Sequence, residues 1–341
     1  MLFGLSGCAT LGWYGQATRG QLDILSKRED IARLIEQPDT DPILAQRLAL
    51  ALEIRAFAVA ELGLPDSRSY TRYADLGREA AVWNVVATPR FDLKPKTWCY
   101  PLVGCLAYRG FFDPDRARAL AAELTASGYD AAVFPVPAYS TLGWFADPVL
   151  NTMLERSDAR LAALLFHELA HEKLFLRGDT EFSEGYAVAV ERVGVQRWLE
   201  AQGDESALAR WHREELLHAD FTALLLAARA ELAVLYASDR PKPAIEDART
   251  VVFEELRSAV RALDARSGDA RFSRWAEREI NNAHLALVTT YESTVAGFLR
   301  LLDDCAAELA CFHARAAELA RADEATRARV LGDTGQASPD F

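Results

Sequence analysis

Residues 161–175 hold the pattern best suited to chemistry. His167 and Glu168 are followed by His171, a His-Glu-x-x-His spacing inside an apolar run of helical periodicity. Residues four apart in a helix stand one turn apart on one face, so both imidazoles can bind one zinc ion. Glu168 lies on the adjoining edge of that face, within reach of a water that the metal acidifies to a pKa of about 7; its carboxylate then takes the proton as attack begins. With 6 His in 341 residues, chance places such a pattern about once in a hundred chains of this kind. The apolar flanks on both sides predict a buried helix rather than a solvated face. Ser157 supplies an N-cap and Gly178 a stop.

A catalytic zinc of this type needs a third protein ligand and one open position. The residue six after His171 is Arg177, so no third histidine stands at that spacing and a carboxylate is expected. Glu184 and Glu191 both follow, seven apart and nearly eclipsed on one helical face. Ala187 between them is small and lets this helix approach the histidine helix. Residues 178–180 make the turn that joins the two.

The elements that must position these groups are mostly helical. Residues from about 15 to 63 read as two helices, the first with a stripe from Leu22 to Ile35 and the second from Ile43 to Leu62 after Pro42; residues 63–67 end the pattern. Residues 83–87 and 105–112 are short apolar or aromatic runs bounded by turn residues and read as strands. Asp113 and Pro114 start a helix that runs to about Ser127. A third strand covers 131–136, and Pro135 and Pro137 confine it to a sheet edge. The remainder, from about 146 to 325, is helical with a break at Pro241 and Pro243. The expectation is one α+β domain, predominantly helical, over residues 15–325. Residues 1–14 form a signal remnant and tether, and residues 326–341 a loose polar tail.

Composition narrows the class. The chain has 38 Lys+Arg against 50 Asp+Glu, a net charge of −12, and is 50% hydrophobic. This excludes wholesale disorder. The acidic balance argues against a nucleic-acid partner, which needs a basic footprint. No apolar run is long enough to span a membrane. Leu5, Ser6, Gly7 and Cys8 have the pattern of a bacterial lipobox, with Cys8 as the residue to be lipidated. Seven residues precede Cys8 and none is basic, so the signal reads as truncated. The expectation is a protein tethered by Cys8 on the periplasmic side of the envelope, outer-membrane-directed because Ala9 follows; the alternative is a cytoplasmic protein. Four cysteines then remain. Cys99 and Cys105 flank a loop containing Pro101 and Gly104 that can close, and a disulfide is expected there. Cys305 and Cys311 lie six apart in a helical pattern. Six residues rotate by about 600°, which puts them on different faces, so the expectation is buried free thiols, or one of them meeting another cysteine across space.

The chain resembles the gluzincin metallopeptidases, many of which carry Glu-Gly-x-Ala with the Glu as third ligand and a second Glu seven later supporting a histidine. Glu184, Gly185, Ala187 and Glu191 match. Residues 98–112 and 138–148, with Asn281 and Asn282, further resemble a family of bacterial putative aminopeptidases, commonly lipoproteins. The resemblance implies a zincin-like core with a small mixed sheet beside the histidine helix. It favours Glu184 as metal ligand and Glu191 as the partner of a ligand histidine's free N–H. It also implies an oxyanion donor from a later helix; Tyr291 is the choice, with His284 and Tyr108 as further candidates.

Weaker features complete the reading. Residues 133–136 are a candidate strand for pairing with extended substrate. Trp144 and Phe145 are candidates for lining a pocket. Asn281 and Asn282, poor helix formers, hydrogen-bond either buried backbone or substrate. Asp147, Asp179 and Glu181 are acidic candidates for an α-amine site. His212, His218 and His313 read as structural or surface residues. The expected function is zinc-dependent peptide hydrolysis, with peptide as substrate. The alternative is a non-catalytic zinc-binding envelope chaperone or assembly factor, which would bind metal without hydrolysis.

Overall fold

Several helices begin where a side chain can cap them. Asp41 accepts from the backbone N–H groups of Ile43 and Leu44 with Pro42 at the first turn, and Asp113 does the same for Asp115 and Arg116 ahead of Pro114. Each satisfies donors that a helix start leaves without partners, and proline there has no N–H to waste. A computed structural model describes residues 6–100, 104–141, 145–268, 270–286, 288 and 294–332.

In chain order, the first elements are α1 (Ser6–Ser26), β1 (Glu29–Asp30), α2 (Ile31–Glu36), α3 (Pro42–Ala60) and β2 (Arg72–Ala74). Next come β3 (Val82–Pro89), β4 (Trp98–Tyr100), β5 (Gly104–Leu106), β6 (Arg109–Phe111), α4 (Pro114–Ala126) and β7 (Tyr129–Val136). They are followed by β8 (Val149–Leu150), α5 (Asn151–Leu154), α6 (Asp158–Lys173) and α7 (Thr180–Gln202). Then come α8 (Glu205–Tyr236), α9 (Lys242–Ser267), α10 (Arg271–Ala276) and α11 (Asn282–Leu285). The last are α12 (Val295–Asp303), α13 (Leu309–Arg321) and α14 (Glu324–Gly332). The protein is thus α+β and predominantly helical.

The chain divides into two compact units. Residues 1–82, 135–205 and 290–341 form the first, and 83–134 with 206–289 the second. In the first unit β2 is central to a small mixed sheet, antiparallel to β1 and parallel to β8. Here α6 packs along α7 and against α3, and α12 packs on α7. In the second unit β3 lies between β6 and β7, antiparallel to β6, so β7 is an edge strand. A long core gathers Phe221, Leu232, Val252, Phe253, Val260 and Phe272 from α8, α9 and α10.

That second unit also holds a buried polar network. Asp130 pairs with Arg249 and, at 2.7 Å, with Arg90, and it accepts from the Asn282 backbone N–H at 3.0 Å. Asn282 donates to the carbonyls of Arg90 and Asp92 and accepts from the Tyr236 hydroxyl. Asn281 donates to the Ala131 carbonyl on β7. The adjacent asparagines therefore serve buried backbone. Each substitutes for ladder or helix bonds where the chain has neither.

Four expectations change. The run 105–112 is not one strand but two, β5 and β6, separated by a bend. Residues 15–63 form three helices rather than two, because residues 27–30, which include the short strand β1, interrupt the first helical stripe. The polar stretch after 323 is not loose throughout: α14 covers it to Gly332, with Leu331 1% exposed. Gly297 makes this docking feasible, since a Cβ there would stand 2.4 Å from the Leu331 carbonyl oxygen. Finally, Cys305 and Cys311 are joined in a disulfide. The helix that would hold them apart is broken by Ala306 and Ala307, both left-handed (φ 51° and 61°), between α12 and α13. Cys99 and Cys105 are directly paired across β4 and β5 and are also joined.

Candidate metal centre

Two consecutive helices of the first unit build the site. α6 is capped by Ser157 and enters with Asp158, which forms an ion pair with Arg47. Its residues Leu161, Leu165, Phe166 and Leu169 are fully buried, so the apolar flanks fix the helix and aim the polar residues. The turn into α7 uses Gly178 at φ 88°, a conformation glycine adopts freely. Ser183 stitches the turn by accepting from the Leu176 N–H and donating to the Asp179 carbonyl. Asp179 caps α7 at the Phe182 N–H and accepts from Arg327 on α14.

The close approach of α7 to its neighbours depends on two glycines. A Cβ on Gly194 would stand 2.8 Å from the Phe166 ring on α6 and 2.7 Å from Leu62. A Cβ on Gly185 would stand 1.9 Å from the Thr294 hydroxyl oxygen, which itself donates to the Glu181 carbonyl. Ala187 is fully buried. Tyr186 is held from behind: its hydroxyl donates to His313 Nδ1 at 2.8 Å, while His313 Nε2 donates to the Leu62 carbonyl at 2.9 Å. Burial lowers the His313 pKa to about 4, in keeping with a neutral ring in that bridge.

These contacts bring His167, His171 and Glu184 together. The two Nε2 atoms lie 3.1 Å apart. Glu184 Oε2 is 3.4 Å from His167 Nε2 and 3.6 Å from His171 Nε2. Zinc–ligand bonds of about 2.0–2.1 Å at tetrahedral angles give edges of about 3.3–3.4 Å, so the triangle has the size of one tetrahedral face. The donor set also fits a cation chemically. Two imidazole nitrogens converging at this distance present lone pairs to each other unless a positive centre lies between them, and a carboxylate completes the face. The group can hold a metal ion.

Glu191 occupies a different place. Its Oε2 is 3.1 Å from His167 Nδ1, on the opposite side of the ring from Glu184. An Nδ1–H donated there leaves Nε2 free as a ligand atom. His171 Nδ1 is buried with no hydrogen-bond partner among the described residues. Burial would lower the His167 pKa, but its bonds to Glu184 and Glu191 raise it well above the usual histidine range. Burial likewise opposes ionisation of Glu184, yet its bonds to both histidines hold it at about 2.

Glu168 projects from α6 beside the triangle and is not part of it. Burial raises its pKa, partly offset by His167 and His171. Its carboxyl is hydrogen-bonded by Ser140, a residue the sequence reading passed over. No local pattern could have flagged a lone serine beyond the edge strand.

The other candidates fall as follows. Tyr291 and Trp144 lie outside the described residues, as does the side chain of Cys8. His284 and Tyr108 belong to the second unit. There His284 Nδ1 accepts from the Asn281 N–H, its ring packs on Phe134 and Trp275, and burial lowers its pKa to about 4. Tyr108 packs partly buried against Val86, Ala132, Ala283 and Ala286. Asp147 is 2% exposed and accepts from the Thr141 N–H and hydroxyl, and Asp179 is a helix cap. Both carboxylates are therefore spent inside the protein. Phe145 is half exposed.

Fold and site thus define a mainly helical protein with a His2Glu group able to take a metal ion. The chain matches the family described as "Putative aminopeptidase" over residues 12–331 and belongs to it. That membership marks it, at the level of class, as a peptidase. No curated protein and no solved structure matches the chain.

Proposed function

We propose that this protein is a zinc-dependent peptidase with a zincin-like core, acting as an aminopeptidase in keeping with its family. The observation that carries the proposal is the triangle of His167, His171 and Glu184, whose edges match a tetrahedral zinc face, with Glu168 one residue away on the same helix. His167, His171 and Glu184 would hold the ion, and Glu191 orients His167. When bound, zinc supplies Lewis-acid polarisation of a carbonyl and acidification of water.

The chain's own residues do the rest. Glu168 takes a proton from the attacking water and passes it to the leaving amine. Its buried position suits the first task, because a carboxylate whose pKa is raised above the ordinary range accepts a proton more readily. The apolar walls of α6 keep bulk water from competing for the carboxylate. Tyr291 is proposed as oxyanion donor.

The same proposal includes a lipid tether at Cys8 and a location on the periplasmic side of the envelope. The Leu5–Cys8 pattern supports it, and the two disulfides suit an oxidising compartment. Among the described residues no helix is long and apolar enough to cross a membrane, so a tether is the form of attachment this reading needs.

The test measures metal content and peptide turnover on wild type beside Glu168→Gln, using a mixed peptide library read by mass spectrometry. About one zinc per chain in both proteins, with cleavage from the amino end in wild type only, is the expected result. Zinc in both without cleavage would move the assignment to a metal-binding envelope factor. No zinc in either would overturn the reading altogether.

A further inference from the structure

The second unit carries a cleft that the metal centre does not use. It measures about 890 Å³ and is lined from β7, α9 and the segment leading into α11, all of them within that unit. This volume falls in the range of about 300–1,000 Å³ typical of small-ligand sites. Its walls are tied together from both sides. Arg257 on α9 donates to the Arg278 carbonyl at 3.1 Å, and Asn281 donates to the Ala131 carbonyl on β7 at 3.0 Å. Residues 278–281 thus bridge the helix and the strand. Phe134, Phe253 and Ile280 give the lining an apolar part, and the Phe134 ring packs edge-on against His284 at 5.3 Å.

The charges lining the cleft are nearly all spent on one another. Arg90 and Arg249 both pair with Asp130 and with Glu246, and Arg257 pairs with Glu254. Two donors are left over. The Arg278 guanidinium lines the cleft and has no hydrogen bond or ion pair among the described residues. The second is on His284. Its Nδ1 stands 3.2 Å from the Asn281 N–H and 3.1 Å from Asn281 Oδ1. The N–H can only donate, whereas Oδ1 already accepts from the Ala283 N–H at 3.1 Å. Nδ1 is therefore the acceptor, and the ring proton sits on Nε2. That Nε2–H has no partner among the described residues.

We propose that this cleft binds a monocarboxylate with an apolar side group, held by Arg278 and the His284 Nε2–H, with the side group against Phe134, Phe253 and Ile280. That chemistry is shared by an N-blocked hydrophobic amino acid and by the carboxy-terminal residue of a peptide. A guanidinium suits carboxylate and phosphate alike, so charge decides between them. One unpaired cation and one neutral donor match a single negative charge. A phosphate carries up to two, and the excess would face Glu254 and Glu279, which also line the cleft. The site needs no metal and stands independently of the peptidase reading.

The experiment titrates the full chain with N-acetyl-L-phenylalanine and follows the Trp275 indole resonance by NMR. The Trp275 ring packs on His284 at 6.1 Å, so the signal reports this cleft and is blind to carboxylate bound at a metal elsewhere. Saturation with a Kd of about 1 mM or tighter is expected. N-acetyl-L-phenylalaninamide, which lacks the charge, should bind at least about tenfold more weakly, and inorganic phosphate more weakly than the acid. Arg278→Gln should weaken the acid about ten- to a hundredfold, the worth of a hydrogen bond to a charged group. Arg278 is exposed, so this variant leaves the fold intact. His284→Phe, which keeps a ring beside Phe134, should cost about three- to tenfold. Acetyl-Ala-Ala-Phe with a free carboxylate separates the two sources: tighter binding than the single residue assigns the site to a peptide end, and equal binding assigns it to the free acid. Equal affinity for acid and amide, tighter binding of phosphate, unchanged affinity in Arg278→Gln, or no saturation at about tenfold above that Kd would overturn the proposal.

Discussion

His313 makes the stability of the first unit depend on pH in a calculable way. Its ring is 8% exposed and bridges the Tyr186 hydroxyl to the Leu62 carbonyl. Burial lowers its pKa from 6.5 to about 4, outweighing the bond to Leu62. Between those values the unfolded chain binds a proton at this residue and the folded chain does not. Stability therefore rises with pH across the window and is lost as pH falls from 6.5 toward 4. The full difference corresponds to about 3 kcal/mol, and between about pH 8 and pH 5 the loss is about 2 kcal/mol. His313→Gln removes the titration while leaving an amide able to donate to Leu62. Urea unfolding of wild type and His313→Gln at the two pH values isolates the effect, since every other titration is common to both. The wild type should lose about 2 kcal/mol more than the variant on acidification. Ring resonances of His313 followed by NMR give a direct check. Parallel pH slopes in the two proteins, or a ring that titrates near 6.5, would refute the reasoning.

Other outcomes follow from particular contacts. Glu191→Ala should leave the metal site assembled but weaken zinc binding about ten- to a hundredfold, read by competition with a chromophoric chelator; unchanged affinity would show that Glu191 does not orient His167. Gly297→Ala should detach α14, because the new Cβ would meet Leu331 backbone at 2.4 and 2.5 Å and backbone cannot swing aside. Limited proteolysis should then cut near residues 322–324 at a protease level that leaves wild type whole. Arg249→Ala should destabilise the second unit by about 3 kcal/mol, since it strips one partner from a nearly fully buried Asp130 that Arg90 and Asn282 only partly compensate. A loss below about 1 kcal/mol by urea titration would show that the network is redundant.

The parts legible in the sequence were those written locally. The spacing of His167 and His171, the apolar periodicity around them, and the Asp-Pro starts at 41–42 and 113–114 all depend on near neighbours in the chain. The strands at 83–87 and 131–136 were visible for the same reason, and Pro135 announced an edge. The choice between Glu184 and Glu191 was not settled by spacing, because both lie on one face; it needed a resemblance, and in the structure the two take opposite sides of the His167 ring. Other features had no local signature. Nothing about Ala306 and Ala307 advertises a left-handed break, so the pairing of Cys305 with Cys311 was hidden behind helical arithmetic. The polar composition after residue 323 concealed one buried leucine and the glycine that receives it.

The discontinuous make-up of the first unit has a consequence for how the protein is made. Chains emerge from the amino end, and domains generally fold as they are completed. The second unit has its last residue at 289, so it can be complete while the first still lacks 290–341. All five residues of the candidate centre and its supports, from His167 to Glu191, have by then been synthesised. The side chains that brace them have not: Thr294 sits on Gly185, His313 holds Tyr186, and Arg327 holds the Asp179 cap. A nascent chain therefore carries both histidines and all three carboxylates before it can set them in place. The final turns of the newest helices act as a timing device: a chain released early carries the ligands without the scaffold that arranges them.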